Sequence, residues 1–309
     1  MYLMNVTIVG YNNCYKADVI KCLKRNFSWM KSRTNEDIEQ WMQPLWNYHW
    51  LEELKYDYPY KNGCVILNEL GRVVGYFGVV CSQRYDDNGR SYLYISPSYW
   101  ALDKAYRIYL FTILKKVFDG ADVIGDFSAI EHVEKILVNL YKFTYIDKRA
   151  MQFIPLPFFK KARLHFSLPS KNSFDEIQWR EYEDNKQYGV KCIVCSSLNE
   201  KSFIYYKVVR IHFKHILPLK VVHLLKVTNP SFVNQFAHEI IWKLGKSERG
   251  IVQADFRFFN GRIPQYPLIR LRNKVRLVSI KEGISLEEVD FLYSELSMLN
   301  DRQNKAWLL

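Results

Sequence analysis

The sequence predicts an α/β (α+β) chain of two lobes, each a mixed, mostly antiparallel twisted sheet flanked by helices. Three observations carry this. Hydrophobic residues make up 49% of the 309 positions, enough for two cores of about 150 residues each. Within the first half, apolar spacing switches between helical and strand periods in a definite order. After residue 190 a similar order returns without visible sequence identity, as in a duplicated unit.

The first lobe is assigned to residues 1–150. Residues 3–9, LMNVTIV, read as its first strand. KADVIKCLKRNF (16–27) follows as a helix with Val19, Ile20, Leu23 and Phe27 on one face. A second, Trp-rich helical region spans 35–54, with Asn35 placed to cap it and Glu36 and Asp37 suited to its first turn. The period then becomes two. Residues 64–67, 73–83 and 91–102 predict an antiparallel meander, turned at Asn68-Glu69-Leu70-Gly71 and Asp86-Asp87-Asn88-Gly89. LDKAYRIYLFTILKKVF predicts a helix, with Ile108, Phe111, Thr112, Leu114 and Val117 at helical spacing. DVIGDFSA (122–129) reads as a buried strand, 130–141 as a helix and FTYID as a last strand.

Residues 151–189, with Pro155, Pro157, Pro169 and the polar run WREYEDNKQYG, predict a linker or crossing segment. The second lobe is assigned to 190–309. GVKCIVCSS, SFIYYKVVRIHF and LKVVHLLKV read as three strands. PSFVNQFAHEIIWKLG predicts one helix, with Ser231 near its start, Gly245 at its end, and Phe232, Phe236, Ile240 and Leu244 on one face. GIVQADFRFF is the next strand, and a late helix is expected over 285–299, where Glu295 stands beside Leu292, Leu296 and Leu299.

Charge is uneven. Residues 1–150 carry 19 Lys/Arg against 17 Asp/Glu, whereas 151–309 carry 25 against 15. The basic excess favours anionic partners such as nucleotides and phosphorylated sugars. YYKVVRIHFKH (205–215) interleaves aromatics with cations as nucleic-acid binders do, but alternation on a half-buried strand explains it equally, so nucleic acid is disfavoured. Six scattered cysteines fit a reducing, cytoplasmic compartment. The opening MYLMNVTIVGYNN lacks the basic region and apolar length of a signal peptide. Lys220, His223 and Lys226 interrupt the most apolar stretch, so no transmembrane segment is expected; peripheral membrane contact stays open, and no oligomeric state is assigned. Cys192-x-x-Cys195 with His212-x-x-His215 has zinc-ligand types, yet residues three apart on a strand face opposite sides, so no metal is expected.

The order strand, helix, helix, meander, helix, strand, helix, strand over residues 3–147 resembles the GNAT family, the Gcn5-related N-acetyltransferases. In that family V-x-P-x-x-R-x-x-G-x-G/A crosses from a strand into a helix, and its backbone N–H groups hold the pyrophosphate of acyl-CoA. Against this motif Leu102 takes the Val place and Arg107 the Arg place, while Leu110 and Thr112 stand where the small residues belong. The motif is degenerate. Tyr141 takes the place of a helix Tyr, with Thr144-Tyr145 near the family's Gly-Phe pair, and LNELGRVVGYFGVV matches its hairpin. Two such lobes resemble tandem-GNAT proteins, including those of bacterial surface-polysaccharide pathways.

The resemblance implies an acyltransferase that moves an acyl group from acyl-CoA (acetyl-CoA) to an amino group, or a hydroxyl, of a small anionic acceptor such as a nucleotide-linked amino sugar. Arg107, with Lys104, Ile108 and Tyr109, would hold the donor, the Arg107 guanidinium offering forked donors to phosphate. Ser91–Leu102, interrupted by Pro97, would present backbone donors to the carbonyl. Tyr141 would supply a proton and Asp126, or Glu131, would take one. Arg257, Arg270 and Glu295 would meet the acceptor. The competing classes are a non-catalytic GNAT-like binding protein, favoured by the lost glycines, and an RNA-binding module, favoured only by charge.

Overall fold

The computed structural model describes residues 5–86, 88–157, 163–213 and 217–299. Two compact units emerge. One holds Met1–Asp126 with the returning segments Ser279–Glu288 and Tyr293–Glu295; the other holds Phe127–Val278, Val289–Leu292 and the chain from Leu296 onward. The expected boundary at 150 falls inside a continuous strand of the second unit.

The first unit follows the expected order closely. Strand β1 (Val6–Gly10) leads to helices α1 (Lys16–Asn26) and α2 (Asn35–Trp46). Asn35 does not cap α2. Thr34 does, through a capping box: its hydroxyl accepts from Asp37 N (3.0 Å) while the Asp37 carboxylate accepts from Thr34 N (3.3 Å). The meander is β2 (Cys64–Asn68), β3 (Val73–Tyr85) and β4 (Ser91–Leu102). Gly71, at φ 71°, closes the first turn in the left-handed region, and the Asn68 side chain accepts from Leu70 N and Arg72 N. In the second turn the Asp86 carboxylate accepts from Asn88 N and Arg90 N; Asp87 lies outside the described residues, as do Leu3 and Met4 of the predicted first strand.

The aromatic richness has a local role. β2 pairs β3 only as far as Phe77. Farther along, Trp50 Nε1 donates to Cys81 O (2.8 Å) and the Tyr48 hydroxyl accepts from Cys81 N (3.0 Å), so two rings cover the edge β2 leaves open. After β4 comes a 3-10 turn at Lys104–Tyr109, then α3 (Leu110–Phe118) and β5 (Val123–Asp126). The helix predicted across this segment therefore has a 3-10 start. Its buried residues are Ile113, Leu114, Val117 and Phe118, whereas Ile108 and Phe111 are 71% and 52% exposed.

The second unit opens with α4 (Glu131–Tyr141) and β6 (Thr144–Phe153). The predicted linker contains β7 (His165–Ser167) and α5 (Glu176–Lys186), the latter capped by Asp175. Then come β8 (Val190–Ser196), β9 (Lys201–Phe213) and β10 (Leu217–Val227). The single helix predicted after them is two, α6 (Pro230–Gln235) and α7 (Ala237–Glu248), broken at Phe236; Asn229 caps the first. Gly245 does not end α7. It lies inside the helix against Pro155, where an added Cβ would stand 2.0 Å from Pro155 Cγ. The helix ends instead at Arg249, in the left-handed region at φ 55°.

β11 (Ile251–Asp255) follows, and then β12 (Ile269–Ile280), a strand the sequence pattern did not reveal. The strand order in this unit is β12-β6-β11-β10-β9-β8-β7. Val221 is fully buried at its centre, packed by Val209, Leu219 and Ile251. The late helix predicted over 285–299 is a 3-10 turn at Leu286–Glu288 and one helical turn, α8 (Glu295–Met298). Residues between them are drawn out of helix: Phe291 N donates to Leu225 O (3.0 Å), and Tyr293 sits at φ 56°. Among the described residues, no helix is long and apolar enough to cross a membrane.

Candidate active site

The site in the first unit begins with a fork. β4 and β5 run parallel, but their register covers only Tyr94↔Val123 and Ile95↔Ile124. Beyond Ile95, β4 continues to Leu102 while the pairing has ended. A bulge opposite Phe77 and Gly78 leaves Tyr99 unmatched on β4 at φ 27° and bends the strand there. The closed end of the fork is fixed. Asp122 accepts from Leu93 N (2.8 Å), and its backbone carbonyl accepts from Lys281 N (2.9 Å).

One face of the meander is polar and buried. By register, Val80, Ser82 and Arg84 of β3 share it with Tyr94, Ser96 and Ser98 of β4. Ser96, one residue past the last β4–β5 pair, donates from Oγ to Glu295 Oε2 at 2.5 Å. Glu295 is 1% exposed and Ser96 fully buried. The hydroxyls of Ser82 and Ser98 are buried without a hydrogen-bond partner. Arg84 lies over the Tyr94 and Tyr293 rings at 5.3 and 5.9 Å, and Trp50 meets Tyr293 edge-on at 4.8 Å. The result is a carboxylate held in a water-poor, hydroxyl-lined face at the point where two parallel strands separate.

The predicted residues fall as follows. Lys104, Arg107, Ile108 and Tyr109 share the 3-10 turn after β4, with Lys104 and Arg107 exposed. Arg107 Nε reaches Leu102 O at 3.4 Å. Asp103 leaves the turn start uncapped, because Arg25 and Asn26 hold its carboxylate (2.8 Å each). Leu110 is half-buried and Thr112 exposed. Asp126 ends β5 and is buried, but by alternation it shares the face of Ile124 and Ile95, opposite Ser96. Glu131 is exposed and paired with Lys135 (2.8 Å). Tyr141, half-buried at the end of α4, belongs to the second unit, as do Arg257 and Arg270. Arg257 lies over the Phe291 ring at 4.4 Å, and Arg270 is exposed on β12.

Ser82, Arg84, Tyr94, Ser96 and Ser98 escaped the sequence reading. A signal was present: Ser82-x-Arg84 and Ser96-Pro97-Ser98 place polar groups at strand period inside strands that are otherwise apolar. Cys192 and Cys195, three apart on β8, are both buried. His215 and the His212 side chain lie outside the described residues, as does Lys214 of the aromatic–cation run; among the described residues no group of three metal-ligating side chains gathers.

The fold is that of the Gcn5-related N-acetyltransferases: a mixed, mostly antiparallel sheet flanked by helices. Similar solved structures include a Gcn5-related N-acetyltransferase of Anabaena variabilis (TM-score 0.51, 9% identity, 89% of this chain and 73% of that one). A conserved protein of Enterococcus faecalis V583 matches with TM-score 0.52 and 9% identity over 89% of this chain and 72% of its own. A Gcn5-related glucosamine N-acetyltransferase region in a fungal multi-domain β-N-acetylglucosaminidase matches with TM-score 0.52 and 10% identity over 90% of this chain and 38% of that one. No protein-family model and no curated protein matches the sequence.

Proposed function

We propose that the chain is an acyl-CoA-dependent N-acyltransferase of tandem type whose chemistry takes place in the first unit. The observation that carries this is the buried Glu295 carboxylate, hydrogen-bonded to Ser96 one residue past the end of β4–β5 pairing. The thioester carbonyl lies along the unpaired edge of β4, where backbone N–H groups stabilise the oxyanion. The acceptor amine attacks the carbonyl carbon, and Glu295 takes its proton. The C–S bond then breaks and CoA leaves as the thiolate, which takes the proton back from Glu295 or from solvent. Glu295 thus takes the base role first given to Asp126, which faces the other side of the sheet, and Tyr141 has no step here.

Donor phosphates meet the uncapped 3-10 turn and Arg107, Lys104 and the backbone of Ile108 and Tyr109. The Ser82 and Ser98 hydroxyls orient the acceptor, and buried Arg84 favours an anionic one. An amino sugar, free or nucleotide-linked, is the first class to test, since one fold neighbour is a glucosamine N-acetyltransferase region. A surface-polysaccharide role and a cytoplasmic location belong to the same proposal.

The test is thiol release from acetyl-CoA against a panel of amino sugars and nucleotide-linked amino sugars, beside calorimetric titration of CoA. Turnover that Glu295→Gln abolishes supports the proposal. A second reading, a GNAT-like binding protein, draws on half-buried Leu110 where the family motif has a small residue. CoA binding without turnover on any acceptor would favour it, and no CoA binding would overturn the acyltransferase.

A further inference from the structure

In the second unit, cross-strand register aligns Lys207 of β9, His223 of β10, Gln253 of β11 and Gln152 of β6 in one row. All four are buried, with exposures of 3%, 4%, 0% and 6%. Each interrupts an apolar strand, in YYKVV, VVHLL, IVQAD and AMQFI. Part of the row is internally bonded. Arg272 Nε donates to Gln152 Oε1 (3.1 Å), and Gln152 Nε2 donates to Gln253 Oε1 (2.9 Å). That chain leaves Gln253 Nε2 buried without a partner, and the neighbouring His223 Nε2 is in the same state.

Two guanidiniums adjoin the row. Arg276, 2% exposed, is held by Asp255 (3.3 Å), by Phe127 O and over the Phe291 ring at 5.1 Å, yet its Nη2 has no partner. Arg257 donates to Val289 O and covers the same ring, with Nε and Nη2 unpartnered. Each buried donor without a partner costs about 1–3 kcal/mol, so such a concentration in one place needs an explanation.

Electrostatics point the same way. Burial, then the charges of Arg276, Lys274 and Lys207, hold His223 well below the usual histidine range, so it stays neutral. Burial, then Arg276 and Arg272, lower Lys274 to about 8. Burial raises Asp255 against the pull of Arg276 and Arg257. The positive groups also form a graded path along β12: Arg270 is exposed, Arg272 half-buried, Lys274 8% exposed and Arg276 2%.

We propose that this cluster binds a compact oxyanion, a phosphate or carboxylate group that enters along β12 and accepts hydrogen bonds from His223, Gln253 and Arg276. The neutral His223 donates in its Nε2–H form. Neither amide nor imidazole brings charge, so Lys207, Lys274 and Arg276 supply it. Phe291 and the Asp255 contact hold the guanidiniums in place before the ligand arrives. The site does not depend on acyl transfer in the first unit.

The experiment is calorimetric titration of the full chain with inorganic phosphate and, separately, with acetate and succinate, in low-chloride buffer. Binding of one anion class is expected, and which class binds tells phosphate from carboxylate. Lys274→Met and His223→Leu should each weaken that binding about tenfold or more, the loss of one charge-assisted hydrogen bond or cation. Lys135→Ala, at an exposed cation paired with Glu131 on α4, should leave it unchanged. Because Arg276 variants risk misfolding, circular dichroism and melting accompany the two milder variants. No heat with either class would overturn the proposal. So would equal affinity in a folded Lys274→Met and His223→Leu, or loss of binding in Lys135→Ala.

Discussion

The hydroxyl of Ser96 donates to the carboxylate of Glu295, joining residues 199 positions apart where β4 leaves β5. This bond orients the carboxylate at the point where the strands part. Glu295→Gln keeps shape and can still accept from Ser96, but it cannot take a proton. Turnover should fall about 10²- to 10⁴-fold, the range for removal of a general base, with CoA affinity and melting temperature little changed. Ser96→Ala should cost less, since the carboxylate survives. Steady-state kinetics with parallel melting curves checks both; full activity in Glu295→Gln would remove it from the mechanism.

The 3-10 turn after β4 makes a separate claim about the donor. Arg107 is exposed and spends only a long bond on Leu102 O, so its guanidinium can turn to a phosphate. Arg107→Ala should weaken CoA binding about tenfold, the worth of one charged hydrogen bond, without loss of stability. Thr112 is exposed, so Thr112→Gly opens no buried space and should destabilise α3 by only about 0.3–0.5 kcal/mol. Calorimetry with CoA, and a urea melt for the glycine variant, would test the pair.

How much of this was legible in the sequence depends on how local the cause is. The meander was readable because its period of two and its Asn68–Gly71 turn are encoded within a few residues. α1 was readable for the same reason. β12 was hidden because Arg270, Arg272, Lys274 and Arg276 alternate like a solvated strand or loop, and nothing local announces that two of them are buried. The late helix failed because Phe291 N bonds Leu225 O, a partner the local pattern cannot name. Glu295 was singled out beside its leucines, but Ser96 was not. Long-range partners decide the site, and a single sequence does not carry them.

Gly245 tests the packing of α7. Its ideal Cβ would stand 2.0 Å from Pro155 Cγ and 2.5 Å from Pro155 Cβ, and a proline ring yields little. Helix propensity alone would make Gly245→Ala stabilising by about 1 kcal/mol. The clash should win, for a net loss of about 1–3 kcal/mol as for other overpacked sites. Denaturant melting reads the sign directly, and a stabilised Gly245→Ala would show the helix and Pro155 to be loosely packed.

Thiol chemistry offers an independent check on burial. Cys14 is exposed, and the other five cysteines are buried. Burial pushes the Cys22, Cys64 and Cys195 thiols up to about 12 and raises Cys81 and Cys192 as well, so their reactive thiolates are scarce at neutral pH. A chromogenic disulfide should therefore titrate one thiol in the native chain and six after denaturation, and Cys14→Ser should abolish the native signal. Rapid reaction of more than one native thiol would contradict the packing of β3 and β8.

Lys274 supplies a pH test. Its amine titrates near about 8 in the folded chain, against about 10.4 when unfolded. Below the folded value both states are protonated, and the cost of a buried ammonium is present in full. Between the two values the unfolded chain holds the extra proton, so stability contributed at this position rises with pH. Lys274→Met removes the effect. The stability gap by which Lys274→Met exceeds the wild type should thus shrink by roughly 3 kcal/mol between about pH 8 and 10.5. Taking the difference cancels the buried tyrosines and cysteines, which titrate with the opposite sign in the same window. Phosphate, if it binds at this cluster, would raise the Lys274 value and flatten the curve. Paired urea melts across that range, with and without phosphate, give the result, and a gap independent of pH would mean that Lys274 stays charged and well solvated.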